Sequence, residues 1–297
     1  MKASIIINKK SGNEKSEDTP SILRRTFKKL DIEIEIYEVT EKDIHDKTRT
    51  AIGSDSDIII AAGGDGTIST VAEEMLDIDK PLGILPAGTF NHFAKDLNIP
   101  LDLDDAAIVI SKGRTRQIDV AEVNGRIFVN NSSVGLYPKS VKVRKHITER
   151  LGGSKWIAMV IAALAVFTRF PLFNIRLTTP KESFIRKTPF VFIGNNEYKI
   201  DLLNLGKRES LTSGKLSLYT AHISGRMGAL KIAFMALINM LKPGYFDIHF
   251  LEELVLESKR KVVHVSLDGE IFKMRPPLKY RIRPGELKVI VPGDNAA

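Results

Sequence analysis

A chain of 297 residues exceeds the size at which one hydrophobic core keeps growing, so the length predicts two domains. Its 43% hydrophobic and 27% charged residues are those of a soluble globular protein, and the lack of cysteine excludes disulfides and thiolate metal sites. A net charge of +8 asks for an anionic partner, but no recognition motif and no interleaving of aromatic and basic residues points to nucleic acid.

The first third alternates strand and helix signals. ASIIIN (3–8) reads as a strand, SILRRTFKKL (21–30) as a helix, DIEIEIYEV (31–39) as a strand and a charged segment to about Ile52 as a helix. There follow the strand DIIIAA (57–62), a short helix TISTVAEEML (67–76), the strand PLGILP (81–86), a short helix FNHFAKDL (90–97) and a helical DLDDAAIVISKG (102–113). Such alternation predicts a mostly parallel sheet covered by helices.

After Gly113 the rhythm becomes strand-like: QIDVAEVN, GRIFVNNSSV, FNIRLTTP, TPFVFIGNN, KLSLYTAH, KRKVVHVSLD, LKYRIR and ELKVIVP. These predict an antiparallel, β-rich second domain. Two apolar helical patterns, at 156–168 and 225–241, interrupt it, and the first is shorter than the roughly 20 residues that cross a bilayer. The expected organisation is an α/β nucleotide-binding domain over 1–121 and a sandwich-like β-rich domain over 122–297, with the last strands returning to the first domain. A strand beginning at Ala3 leaves no room for a signal peptide, so a cytoplasmic location is expected.

The stretch IIIAAGGDGTIST (58–70) places a carboxylate among three glycines at the end of a buried strand. A strand that stops in glycine and restarts as a helix presents backbone N–H groups to an anion, and the helix dipole favours phosphate there. Gly63, Gly64 and Gly66 permit positive φ and close approach, and Thr67 suits a helix N-cap. A dinucleotide fingerprint fails at Ser69, and the GK[ST] ending of a P-loop is missing. The unit LGILPAGTFNHFAKDL (82–97) repeats the plan with Gly88 and Thr89 at its turn, so two loops are expected to face one ligand.

GGDGT, then PAGTFNHFAKDL, NNSSVGL, FIGNNEY and SLDGE in that order, resemble the bacterial diacylglycerol and sphingosine kinase-like lipid kinases over nearly the whole chain. The resemblance implies an α/β nucleotide-binding domain, a β-rich lipid domain and ATP in the cleft between. It implies that Gly63, Gly64, Asp65, Gly66 and Thr67 form the nucleotide loop with Thr40, Gly88, Thr89 and Asn91. INKKSGN (7–13) resembles the family's Asn-Pro-x-Ser-Gly loop, which puts Asn8, Ser11 and Gly12 near phosphate, with Lys9 in place of proline. Glu270 of SLDGE becomes the general base, with Asp268 beside it, and Asp65 and Asp119 match acidic positions of a Mg²⁺ network.

Two positions depart from the family pattern. Asn91-His92 stands where relatives carry Asn-Asp, and Ser213-Gly214 stands where relatives carry the Asp-Gly of a structural Mg²⁺ site. The implied function is ATP- and Mg²⁺-dependent phosphorylation of a diacylglycerol-like or sphingoid hydroxyl. The alternatives are an NAD kinase-like enzyme and a catalytically silent nucleotide-binding membrane adaptor.

By itself SLDGE is a hairpin signal, since Asp-Gly between alternating strands is a type I′ turn pair; beside GGDGT, Asp268 and Gly269 can serve the turn while Glu270 serves chemistry. His45, His146, His222, His249 and His264 lack metal-ligand spacing and read as structural. The segment 137–156 holds Lys139, Lys142, Arg144, Lys145, Arg150 and Lys155 against Glu149 alone. It reads as a solvated face or as a patch for an anionic membrane, where each cation adds on the order of 1 kcal/mol. Peripheral attachment at the inner membrane face is expected, and a homodimer is left open.

Overall fold

The computed structural model describes residues 1–8, 19–135, 173–179, 182–188, 190–198, 208, 210–221 and 246–293. Ser11, Gly12, the basic segment 137–156 and the apolar patterns at 156–168 and 225–241 lie outside the described residues. The chain divides into two compact units: unit 1 is Met1–Val120, Ile127–Asn130 and Arg283–Ala297, and unit 2 is Ala121–Arg126 and Asn131–Ile282.

Unit 1 follows the alternation in the sequence: β1 (Lys2–Asn8), α1 (Thr19–Lys29), β2 (Glu33–Val39), α2 (Ile44–Ile52), β3 (Ile58–Gly63), α3 (Asp65–Glu74), β4 (Leu82–Pro86), α4 (His92–Asp96), α5 (Leu103–Ser111) and β5 (Thr115–Val123). The parallel strands run in the order β2-β1-β3-β4, with Ile5 between Ile36 and Ile60 and Ala61 beside Ile84. β1 and β3 are covered on both faces and are apolar almost throughout, as strands flanked by helices must be. The first crossover steps one strand outward and the second two strands back, so right-handedness puts α1 and α2 on opposite faces. Leu23 and Phe27 of α1 and Ile68, Val71 and Ala72 of α3 supply the helical side of this core.

α2 is pinned to α3 through Glu74, which accepts from Arg49 at 2.7 and 3.0 Å and lies 2.8 Å from Nδ1 of His45. Burial pushes the Glu74 carboxyl up, but the hydrogen bonds from Arg49 and His45 outweigh it and hold the group below its ordinary value of 4.5. A depressed carboxyl stabilises the fold fully above its unfolded pKa and loses that contribution as pH falls through its lower folded pKa. Glu74→Gln should therefore cost about 1–2 kcal/mol at pH 7, limited by the solvent around the exposed Arg49. The gap in melting temperature from wild type should close as the buffer is taken below pH 4.5; a gap of constant size down to pH 3 would refute the ionic origin.

Unit 2 is antiparallel. One sheet has the order β12-β11-β10-β7-β14-β15, from β7 (Asn131–Gly135), β10 (Phe190–Asn195), β11 (Leu216–Ala221), β12 (Phe246–Leu251), β14 (Val263–Leu267) and β15 (Glu270–Met274). A second set joins β8 (Phe173–Thr178), β9 (Ser183–Thr188), β13 (Glu253–Ser258) and the first half of β16 (Leu278–Ile290).

Several boundaries differ from the sequence reading. LKYRIR and ELKVIVP are one strand, β16, which passes through Pro284 and Gly285. Proline has no N–H to lose, and Gly285, at φ 64°, sends its N–H to Asp119 Oδ1 at 2.9 Å, so the interruption is a bulge and not an end. GRIFVNNSSV splits into β6 (Arg126–Phe128) and β7, because the chain changes unit between Asn130 and Asn131. Strands β9, β12 and β13 were not predicted, whereas β15 is the second strand of the hairpin that SLDGE signals; β9 and β12 carry Arg186, Lys187, Asp247 and His249, which dilute the apolar alternation.

Candidate active site

The C-terminal ends of β1 to β4 lie along one edge of the unit 1 sheet, the edge where open α/β sheets take ligands. Asn8 ends β1, Thr40 follows β2, Gly63 ends β3 and Gly88 follows β4. Gly63 pairs with Pro86, and Ala87 donates its N–H to the Gly63 carbonyl at 3.0 Å, so the two glycine turns leave the sheet side by side.

Gly63, Gly64 and Gly88 are needed for close approach and not for positive φ. None of Gly63, Gly64, Gly66 or Gly88 is among the glycines with positive φ, and Gly64 is extended at φ −85°, ψ 180°. A Cβ on Gly63 would stand 2.7 Å from Cβ of Thr67, and a Cβ on Gly88 would overlap the Cα of Gly64 and come 2.8 Å from Oδ1 of Asn91. The N-cap of α3 is Gly64, not Thr67; Thr67 is the third helical residue, buried, and its hydroxyl accepts from Asn8 Nδ2 at 3.2 Å. The first N–H groups of α3 have no intrahelical acceptor, and the N-cap Gly64 has no side chain to cap them. The backbone therefore forms a bare anion cradle, which fits a phosphate. Gly88→Ala would have to part the two turns and should cost about 2–3 kcal/mol or abolish nucleotide binding; melting and ATP binding both at wild-type values would refute the contact.

Asp65 ties the turns together. Its Oδ1 accepts from Phe93 N at 3.0 Å and its Oδ2 from His92 N at 3.2 Å, so the carboxylate of the first residue of α3 caps the start of α4. Asn91, buried and left-handed at φ 51°, accepts from Gly88 N at 3.0 Å and donates to Gly88 O at 2.9 Å. Together the two side chains fix the second turn. The resemblance gives Asn91 to the nucleotide and Asp65 to both the nucleotide loop and a metal; it does not give this bracing, whose one visible signal is an asparagine two residues past Gly-Thr.

Thr40 donates its N–H (2.6 Å) and its hydroxyl (2.8 Å) to Asp43 Oδ1. Hydrogen bonds from Lys47 first, then from Thr40, hold the Asp43 carboxyl well below the usual carboxylate range. With its proton so committed and the Lys42 N–H donating to it at 3.4 Å, Thr40 Oγ1 keeps one lone pair for a ligand. Asp119 is buried and accepts from Gly285 N. Among the described residues no three His, Asp or Glu side chains cluster as metal ligands. A Mg²⁺ at this edge would be held mainly by phosphate oxygens, with lone pairs of Asp65 beyond those taken by α4, which is how this ion is usually bound.

In unit 2, Asp268 and Gly269 form a two-residue turn between β14 and β15 with φ of 46° and 92°. Asp268 donates its N–H to Asn131 O at 2.9 Å and accepts from Asn131 N at 3.0 Å through Oδ1, which clamps the hairpin to the start of β7. Glu270 opens β15 opposite Leu267 and is exposed. Where relatives carry the Asp-Gly of a structural Mg²⁺ site, Ser213 donates both its N–H and its hydroxyl to Asn196 Oδ1, each at 2.8 Å, so a hydrogen-bonded turn holds that loop. Asn131 and Asn196 went unnoticed as fasteners because an asparagine carries no such signal in sequence.

Residues 2–123 match the diacylglycerol kinase catalytic domain. That segment contains both glycine turns, and the resemblance to diacylglycerol kinase-like lipid kinases holds. A diacylglycerol kinase of Bacillus subtilis (strain 168) is 36% identical over 138 residues, 45% of this chain and 46% of that one. A protein of Synechocystis sp. is 25% identical over 261 residues, 86% of this chain and 59% of that one. The chain spans about half the length of the curated relatives it matches. A crystal structure of a diacylglycerol kinase from Bacillus anthracis str. Sterne has 20% identity and a TM-score of 0.67, covering 98% of this chain and 97% of that one. Another crystal structure from that organism reaches 0.74 at 21% identity with the same coverage. The likeness extends the shared fold beyond the kinase catalytic domain to the antiparallel unit.

Proposed function

We propose that the protein is a lipid kinase that transfers the γ-phosphoryl group of ATP, with Mg²⁺, to the hydroxyl of a diacylglycerol-like or sphingoid lipid. The observation that carries the reading is the contact of Gly64 with Gly88 in a segment that matches a diacylglycerol kinase catalytic domain. Two bare backbone turns held against each other suit a polyphosphate better than a metabolite that needs side-chain readout.

In this reading the α3 N-terminus, Gly88 and Thr89 hold the phosphates, and Asn8, Ser11, Gly12, Thr40 and Thr67 orient the nucleotide. Mg²⁺ supplies charge neutralisation. Glu270 accepts the proton of the lipid hydroxyl, and Asp268 positions Glu270 through Asn131. Asp119 shapes the β16 bulge. The chemistry is mostly positioning, as phosphoryl transfer requires little covalent help. In this reading the lipid is met at an anionic membrane surface by peripheral docking, in service of phospholipid synthesis; among the described residues no helix is long and apolar enough to cross a membrane.

The test is ADP release with diacylglycerol, sphingosine, NAD and no acceptor, each product identified by mass. Release that depends on a lipid supports the reading. Release with NAD alone would make the protein an NAD kinase, and nucleotide binding without release would make it a silent adaptor.

A further inference from the structure

The second glycine turn carries a side chain that neither the core nor a phosphate site uses. Phe90 is 64% exposed, and its ring lies 5.7 Å from that of His92 with 7° between their planes. Of the other exposed large apolar residues described in unit 1, Met1 precedes β1, and Leu101 and Ile108 lead into or lie on α5. Phe90 alone among them stands at the ligand edge of the sheet.

That exposure is not slack in a loose loop. Asn91 grips both backbone groups of Gly88 on one side of Phe90, and Asp65 holds the N–H groups of His92 and Phe93 on the other. With the backbone fixed at both ends, Phe90 is presented at this edge with its ring stacked on that of His92. Among the described residues of this edge, Asn8, Thr67, Gly63, Gly64 and Gly88 are polar or lack a side chain, and Ala87 offers only a methyl group. A phenyl ring among them is of no use to a triphosphate, but it suits an amphiphile with a hydroxyl at the glycine turns and apolar substance beside it. Phe90 is two residues from Gly88, at most about 7 Å along the chain. A nucleobase stands a ribose and a phosphate chain away from the transferred group, whereas the first carbons of an acceptor lipid adjoin it.

We propose that Phe90, braced by His92, is the acceptor-binding residue of this edge: it packs on the acyl-bearing part of the lipid next to the reacting hydroxyl. The proposal rests on the lipid kinase reading. It makes affinity for the acceptor, and not for ATP, depend on an apolar side chain at position 90.

The experiment compares wild type, Phe90→Ser and Phe90→Leu by calorimetric titration with 1,2-dihexanoylglycerol, and in parallel with sphingosine, in the presence of a non-hydrolysable ATP analogue. Loss of the ring to serine should weaken binding of the accepted lipid about tenfold, in the range of small apolar contacts in binding sites. Leucine should restore most of it. Affinity for the ATP analogue and the melting temperature should not change. Equal lipid affinity in all three proteins overturns the proposal, and so does a loss of ATP-analogue affinity that leucine fails to restore, which would make the rings a nucleobase platform. If wild type binds the analogue but neither lipid, the lipid kinase reading falls with it. If wild type phosphorylates a lipid and Phe90→Ser does so with unchanged KM, this proposal falls alone.

Discussion

Replacing Glu270 by glutamine is expected to lower turnover by about 10²- to 10⁴-fold while leaving melting and ATP affinity unchanged. Glutamine keeps the length and hydrogen-bonding reach of the side chain and removes only the basic oxygen. Its backbone would stay where it is, because the turn before it is set by two residues of positive φ and by the clamp of Asp268 on Asn131. The competing expectation comes from the same geometry. A residue exposed at the start of β15, the edge strand of its sheet among the described residues, buries little surface, and its substitution should then change stability by less than about 0.5 kcal/mol with activity retained. Turnover at saturating ATP on an accepted lipid, run beside a melting curve, separates the two. Near-normal turnover would remove Glu270 as the base.

The second large effect is expected at Asp65. Asparagine can still accept from Phe93 N through its one carbonyl oxygen, but it turns an NH₂ toward the N–H of His92. The structural loss should resemble that of a helix cap, about 1 kcal/mol, and lower the melting temperature by only a few degrees. The loss of turnover should be far larger, about 10²-fold, because the charge that would face a phosphate-bound cation is gone. A Mg²⁺ titration of activity should shift to higher concentration. Turnover that falls no more than the stability does would make Asp65 a fastener of the two turns and nothing else.

These two residues also mark how far the sequence could be read. The parallel half of the fold was legible because β1, β3 and β4 are continuous apolar runs that end in glycine, and the intervening helices keep their 3.6-residue period. The turn at Asp268-Gly269 was legible for the same reason, since few residues tolerate two successive positive φ values. What stayed hidden were contacts between segments distant in the chain. Gly64 meets Gly88, Asp119 meets Gly285 and Asn196 meets Ser213 only after folding, and no local pattern encodes such pairs. The same limit explains the misplaced N-cap. Thr67 has the right chemistry for a cap, but its side chain is already occupied by packing on Gly63 and by Asn8.

The path of β16 constrains how the protein can be made. Its Val289 lies in register beside Leu82 in β4, and residues 283–297 are counted with unit 1 although more than 150 residues separate them from Val120. A chain that stops short of residue 289 therefore leaves this flank of β4 without its neighbour. An unpaired strand flank is sticky, so a fragment that ends near residue 123 should aggregate or melt without a cooperative transition, although it contains every residue of both glycine turns. Supplying residues 278–297 in trans, as a peptide, should restore a sharp transition if the missing strand is all that the fragment lacks.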